Sequence, residues 1–414
     1  MPNAFTRVFL IVLAAASVTR LWLAQRQVGH VRAHRGAVPQ TFAAAIPLEA
    51  HQKAADYTVA KARLGMIDVL IGAAITAGFT LGGFIQWVSD LWSRCAQPAG
   101  LLHGSALILT VFFAQGALGL PLGLYRTFVI EERFGFNRMT LRLFIADLVK
   151  QVLVGLALGV PLLVVVLWLM ERAGSYWWLY GWLIVVGYSL ALHMIIPAFV
   201  MPLFNKFSPL EDASLVERVE RLLKRCGFRS RGLYVMDGSR RSSHGNAFFT
   251  GFGASKRIVL FDTLVARLAP EEVEAVLAHE LGHYKLHHVV KGMALSWALA
   301  FAMLAALGIL IREPWFYDGL GARTHTNAVA LVLFMMVLPE FLYFLQPLTA
   351  LFSRRNEFQA DGYATLHSSA ASLVQALVKL YKDNAATLTP DPLHSAFYDS
   401  HPPAAARIAR LRTP

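Results

Sequence analysis

The strongest constraint on this chain of 414 residues is a set of seven apolar stretches, each long enough to cross a bilayer. A helix rising 1.5 Å per residue needs about 20 apolar residues to span the hydrocarbon core, where every backbone polar group must be paired internally. The stretches run from Val8 to Leu23, Leu64 to Trp92, Leu101 to Leu124, Val152 to Met170, Tyr176 to Val200, Val290 to Ile311 and Asn327 to Phe352. They predict an all-α polytopic membrane protein. Hydrophobic residues make up 56% of the chain and charged residues 15%, with a mean hydropathy of +0.50, which excludes an ordinary soluble domain. The formal charge of +12 is read as basic loops meeting anionic lipid, with no nucleic-acid partner.

Lysine and arginine also orient the spans. Arg26, Arg32, Arg35, Lys53, Lys61 and Arg63 follow the first span, and Arg126, Arg133, Arg138, Arg142 and Lys150 follow the third. The second loop carries only Arg94, the fourth only Arg172, and the sixth Arg312 and Arg323. The expected topology has the N-terminus outside, with the polar region from Lys206 to His288 and the segment after Phe352 in the cytoplasm. Because the basic flank follows the first stretch, an uncleaved span is expected in place of a secretory signal. Cys95 and Cys226 fall on opposite sides, so no disulfide is expected. An Ala- and Arg-rich composition suggests a bacterial inner membrane.

Four sections follow: residues 1–205 with five spans, 206–288 as a small cytoplasmic α+β region, 289–352 with two spans, and 353–414 as a cytoplasmic tail. Within the second section, Glu211 to Cys226 has the apolar spacing of an amphipathic helix, ended by Gly227. Gly232 to Met236 reads as a strand, and Ala247 to Phe252 with Arg257 to Phe261 reads as a β-hairpin.

Residues 270–290 read PEEVEAVLAHELGHYKLHHVV, a helix with Pro270 at its first position and acids in its first turn. His279 and His283 lie four apart, so their imidazoles share one face and can reach one zinc ion. Glu280 is then placed to take a proton from a water that the metal activates. His287 and His288 read as a solvated or interfacial pair and stay outside the site. A catalytic zinc needs a third protein ligand, and Glu357 is the best remaining donor. An ion pair with Arg354 or Arg355 accounts for Glu357 equally well on spacing alone. Asp361, one helical turn later, can accept a hydrogen bond from a ligand imidazole. Within the spans, Asp68, His193 and Glu340 face either a cavity or a neighbouring helix.

HELGH at His279 to His283, NEFQAD at Asn356 to Asp361, SSHGNAFFTGF at Ser242 to Phe252 and HPP at His401 to Pro403 together resemble the type I CAAX prenyl endopeptidases. These are membrane zinc proteases, and the resemblance covers nearly the whole chain. It implies seven helices around an intramembrane chamber and one Zn2+ per chain on His279, His283 and Glu357. It further implies a substrate-binding edge strand at Asn246, and oxyanion stabilisation by His401 and Arg407. The implied substrate is a prenylated CAAX protein or a related membrane peptide. Two other readings stand beside it: a quality-control protease for damaged membrane proteins, and a non-catalytic metal-binding transporter or scaffold. Glu280 discriminates against the last, which has no use for a carboxylate beside the ligand.

Overall fold

The structure is a computed structural model, which describes all residues except 1, 2, 98, 99, 229, 231, 251–256, 413 and 414. Helices dominate it. Asn3 opens α1 (Ala4–Ala33) with a reciprocal cap, accepting from the Thr6 amide at 2.9 Å while its own amide donates to Thr6 Oγ1 at 3.2 Å. There follow α2 (Leu48–Phe79), α3 (Phe84–Trp92), α4 (Leu101–Tyr125), α5 (Leu141–Arg172), α6 (Trp177–Ile195) and α7 (Met201–Phe204). Wide helical turns at Arg126–Glu131 and Ile196–Val200 prolong α4 and join α6 to α7.

The polar section folds as β1 (Phe207–Pro209), α8 (Ala213–Arg225), β2 (Leu233–Met236), β3 (Ala247–Thr250), β4 (Arg257–Phe261), α9 (Asp262–Val265) and α10 (Pro270–Lys285). Then come α11 (His288–Leu310), α12 (Pro314–Gly319), α13 (Asn327–Leu342), α14 (Gln346–His367), α15 (Ala370–Asp383), α16 (Pro392–Tyr398) and α17 (Ala404–Arg412).

Among the described residues, seven helical segments are long and apolar enough to cross a membrane: Ala4–Ala33, Leu48–Phe79, Leu101–Glu131, Leu141–Arg172, Gly174–Phe204, His288–Leu310 and Asn327–His367. Ile11, Val18, Leu102, Leu183, Phe199 and Ile309 are exposed on them. Such outward apolar side chains match a lipid surround, where they carry no cost. Between α1, α2, α11, α13, α14 and α16 lies an apolar cavity of about 800 Å³.

The second span departs from expectation. Leu64 to Trp92 is not one helix; α2 starts at Leu48 and ends at Phe79, and α3 is separate. The break falls where Gly83 adopts φ +78°, a conformation that L side chains resist. The seventh segment also runs past Phe352. Pro339 and a tight turn at Tyr343–Leu345 bend it, and α14 carries the chain on to His367.

Asp68, His193 and Glu340 meet different fates. Glu340 pairs with Arg20 at 2.6 Å, His193 bonds the Ser189 carbonyl at 2.8 Å, and Asp68 lines a small cleft with Lys61 and Arg126.

The sheet has the order β1-β2-β4-β3, with β2 parallel to β4 and the other two pairings antiparallel. Ala247 sits opposite Leu260 and Thr250 opposite Arg257, an antiparallel pairing as in the expected hairpin, whose connection at 251–256 lies outside the described residues. β1 is an addition that the sequence did not signal, since three residues after a helix end carry no alternation to read. Its consequence is positional. With β1 covering one end of the sheet, β3 remains as the opposite edge.

The loop leading to β3 is fixed to the membrane helices. Arg241 forks onto Asp147 of α5 at 2.7 and 3.0 Å, and Asn137 bridges Ser242.

Candidate active site

The site rests on α10 and α14, packed along each other. Pro270 occupies the first turn of α10, and buried Glu272 accepts from the Ala269 amide at 2.8 Å while pairing with Lys379 at 2.7 Å. Val273, Leu277 and Leu281 bury one face of the helix. Gly282 sets the spacing to α14, because a Cβ there would meet the Ala360 Cα and the Tyr363 Cβ at 3.0 Å. This close approach brings Glu357 against the two histidines.

His279 Nε2 and His283 Nε2 stand 3.2 Å apart, and Glu357 lies 3.5 Å from the first and 3.2 Å from the second. All three ligand atoms fall within 4.8 Å of one another. Tetrahedral zinc with ligands at about 2.0–2.1 Å separates two nitrogens by roughly 3.3 Å, so the spacing fits a metal. Glu357 Oε2 is buried, with no aligned hydrogen-bond donor although His401 Nδ1 is 2.7 Å away. A buried carboxylate oxygen left in that state is accounted for by a cation. The alternative pairing with Arg354 is not made; that guanidinium donates to the carbonyls of Ser395, Ala396 and Asp399.

Around these residues lies a ring of partners. Asp361 Oδ1 is 2.8 Å from His279 Nδ1, and Arg407 forks onto Asp361 at 2.6 and 2.9 Å. Arg407 is itself buried and reaches 3.5 Å from Glu357. Burial opposes protonation of His279, yet the carboxylates of Asp361 and Glu357 outweigh it and raise its pKa to about 9. Burial pushes the Glu280 carboxyl above its ordinary value; His279 and His283 oppose the shift, and Glu357 adds to it. Glu280 and His283 face an apolar cavity of about 600 Å³ that reaches Phe248 and Phe249 of β3.

His401 is exposed beside Glu357. Asn246 is exposed immediately before β3; its Oδ1 accepts from the Ala247 amide at 2.8 Å and its carbonyl from the Phe261 amide at 3.0 Å. Of the SSHGNAFFTGF segment, residues 251 and 252 lie outside the described residues.

One expectation is corrected. His288 is buried, its Nδ1 lying 3.1 Å from His283 Nδ1 and its Nε2 2.9 Å from Gln359 Oε1. His287, at φ +58°, ends one helix and begins the next, which folds His288 back over His283. A continuous helix could not place it there, so helical spacing gave no signal. His287 is exposed at the rim of the apolar cavity.

A HELGH helix joined by a carboxylate from a following membrane helix, inside a bundle of seven spans, defines an integral-membrane metallopeptidase. Comparison with known proteins makes the assignment specific. Residues 27–206 match the family described as "CAAX prenyl protease N-terminal, five membrane helices", and residues 209–414 match "Peptidase family M48". The CAAX prenyl protease 1 homolog of Arabidopsis thaliana is 33% identical over 90% of each chain. The Homo sapiens homolog is 32% identical over 100% of this chain and 97% of its own. The crystal structure of S. mikatae Ste24p superposes with a TM-score of 0.92 at 30% identity, covering all of both chains. The chain belongs to the CAAX prenyl protease family of M48 peptidases. These relatives are eukaryotic, which argues against a bacterial inner membrane as its setting.

Proposed function

We propose that this protein is a zinc endopeptidase that hydrolyses the bond after a prenylated cysteine, or a related bond in another membrane-associated peptide. The observation carrying this reading is the meeting of His279, His283 and Glu357 beside Glu280, with Glu280 and His283 lining an apolar cavity that extends to an edge strand. Two imidazoles and a carboxylate suit zinc among the divalent ions. The named relatives are CAAX prenyl proteases, and an apolar cavity beside the base suits a lipidated or aliphatic peptide.

When bound, zinc supplies Lewis acidity toward the scissile carbonyl and lowers the pKa of a water. Glu280 takes a proton from that water as its oxygen bonds to the carbonyl carbon, and passes it to the amine nitrogen as the C–N bond breaks. No bond to the enzyme is needed. His401, exposed beside Glu357, donates to the carbonyl oxygen as charge develops there. Arg407 is engaged by two carboxylates, so it acts through them: it holds Asp361, which holds His279. The free edge of β3 pairs with an extended peptide, and Asn246 anchors its start. The loop charges support a cytoplasmic location for this machinery and an outside N-terminus.

The test is cleavage of a farnesylated CAAX peptide by protein purified in detergent. Release of the terminal tripeptide should stop with a chelator, return with zinc and be absent in Glu280→Gln. Cleavage of only an unprenylated membrane peptide would transfer the substrate to membrane-protein turnover. If the zinc-loaded protein cuts neither, the endopeptidase reading fails.

A further inference from the structure

The structure assigns to His288 and Gln359 a positioning role: together they fix the tautomer of His283 that turns a lone pair toward the metal. The inference rests on the reading of His283 as a ligand.

Gln359 Oε1 has only lone pairs to offer, so the ring nitrogen facing it at 2.9 Å, His288 Nε2, carries the proton. In a neutral imidazole the other nitrogen is then an acceptor. That nitrogen, His288 Nδ1, lies 3.1 Å from His283 Nδ1, which must therefore donate. A proton on His283 Nδ1 leaves a lone pair on Nε2, the atom that faces His279 Nε2 and Glu357. Every direction in the chain is consistent with metal ligation, and reversing any one of them sets two donors or two lone pairs face to face.

The arrangement differs from that on the first histidine, whose outer nitrogen meets the Asp361 carboxylate. His283 has no carboxylate on its outer side among its described contacts; the neutral relay takes that place. Glu357 and Gln359 lie two residues apart on α14, one toward the metal side of His283 and one toward the far side of His288. A single helix thus provides the third ligand and the anchor of the relay. The left-handed turn at His287 makes this possible, since it starts α11 with His288 beneath His283.

Outer partners of ligand histidines typically contribute a factor of about 10–100 in metal affinity. The experiment measures zinc dissociation constants by chelator competition on the full-length protein in detergent. It compares His288→Ala, His288→Asn, Gln359→Leu and His283→Ala, with thermal unfolding of each metal-stripped protein as a fold control. His288→Ala should weaken zinc about 10–100-fold while leaving KM for peptide, measured at saturating zinc, within about twofold. His288→Asn, whose Oδ1 can stand where Nδ1 stood, should recover most of the affinity. Gln359→Leu should show a smaller loss, and it supplies the test if His288→Ala does not fold. Unchanged zinc affinity in both His288→Ala and Gln359→Leu would overturn the proposal. So would loss in His288→Ala as complete as in His283→Ala, which would make His288 a ligand itself. Wild-type affinity in His283→Ala would instead sink the ligand reading beneath it.

Discussion

At the residue scale, the proposed mechanism gives Glu280 and His279 opposite tasks at adjacent positions. Glu280 must accept a proton without touching the metal, so Glu280→Gln should keep zinc affinity and lose about 10²–10⁴ in kcat, read from peptide release at saturating zinc. His279 must give up its proton to bind. With its pKa raised to about 9, the imidazole is protonated at neutral pH, and zinc uptake displaces that proton. Zinc affinity should therefore climb about tenfold per pH unit from 7 to 9 and level off above, as measured by competition at several pH values. A flat profile over that range would show that His279 enters the competition already neutral.

At the element scale, the approach of α10 to α14 decides whether the Glu357 carboxylate reaches the histidines. Gly282 has no positive φ to explain it; its role is the 3.0 Å gap to Ala360 and Tyr363. Gly282→Ala should part the helices, cost about 1–3 kcal/mol by overpacking and weaken zinc binding in the same variant. Unfolding midpoints and chelator competition measure the two effects separately. Retained stability with lost zinc would place the damage in the alignment of Glu357. The edge position of β3 belongs to the same scale, because one strand only becomes a peptide-binding edge when the others have taken their places. Asn246→Ala should raise KM for peptide with kcat nearly unchanged, in steady-state assays over a range of peptide concentrations.

At the scale of the whole molecule, ion pairs tie the polar region to the membrane bundle. Arg241 on Asp147 is the most buried of those leading to β3, and Asn205 takes the remaining Arg241 nitrogen at 3.0 Å. Asp147→Ala leaves a largely buried guanidinium without its carboxylate, with an expected loss of about 3 kcal/mol. A lowered unfolding temperature in detergent, with KM raised more than kcat is lowered, checks it. Sidedness is tested on the two free cysteines, since Cys95 is exposed and Cys226 buried. In sealed membrane vesicles of known orientation, an impermeant thiol reagent should label Cys95 only from the face opposite the candidate active site; labelling from the active-site face would invert the topology.

Local features of the chain were enough for the membrane bundle and for the pair of histidines with Glu280. Apolar length reports transfer into lipid, and residues four apart on a helix must share a face whatever surrounds them. Glu357 was only half legible. Its spacing from Arg354 and Arg355 allowed an ion pair just as well, and only the fold shows that distant carbonyls in and just after α16 claim Arg354. His288 was not legible at all, because its contact with His283 depends on one left-handed residue between two helices. The break after Phe79 was equally hidden, since two helices divided by the short Thr80–Gly83 turn have nearly the apolar content of one. Which residues meet across α10, α14 and α17 was decided by packing, and packing depends on the shapes of surfaces far apart in the chain.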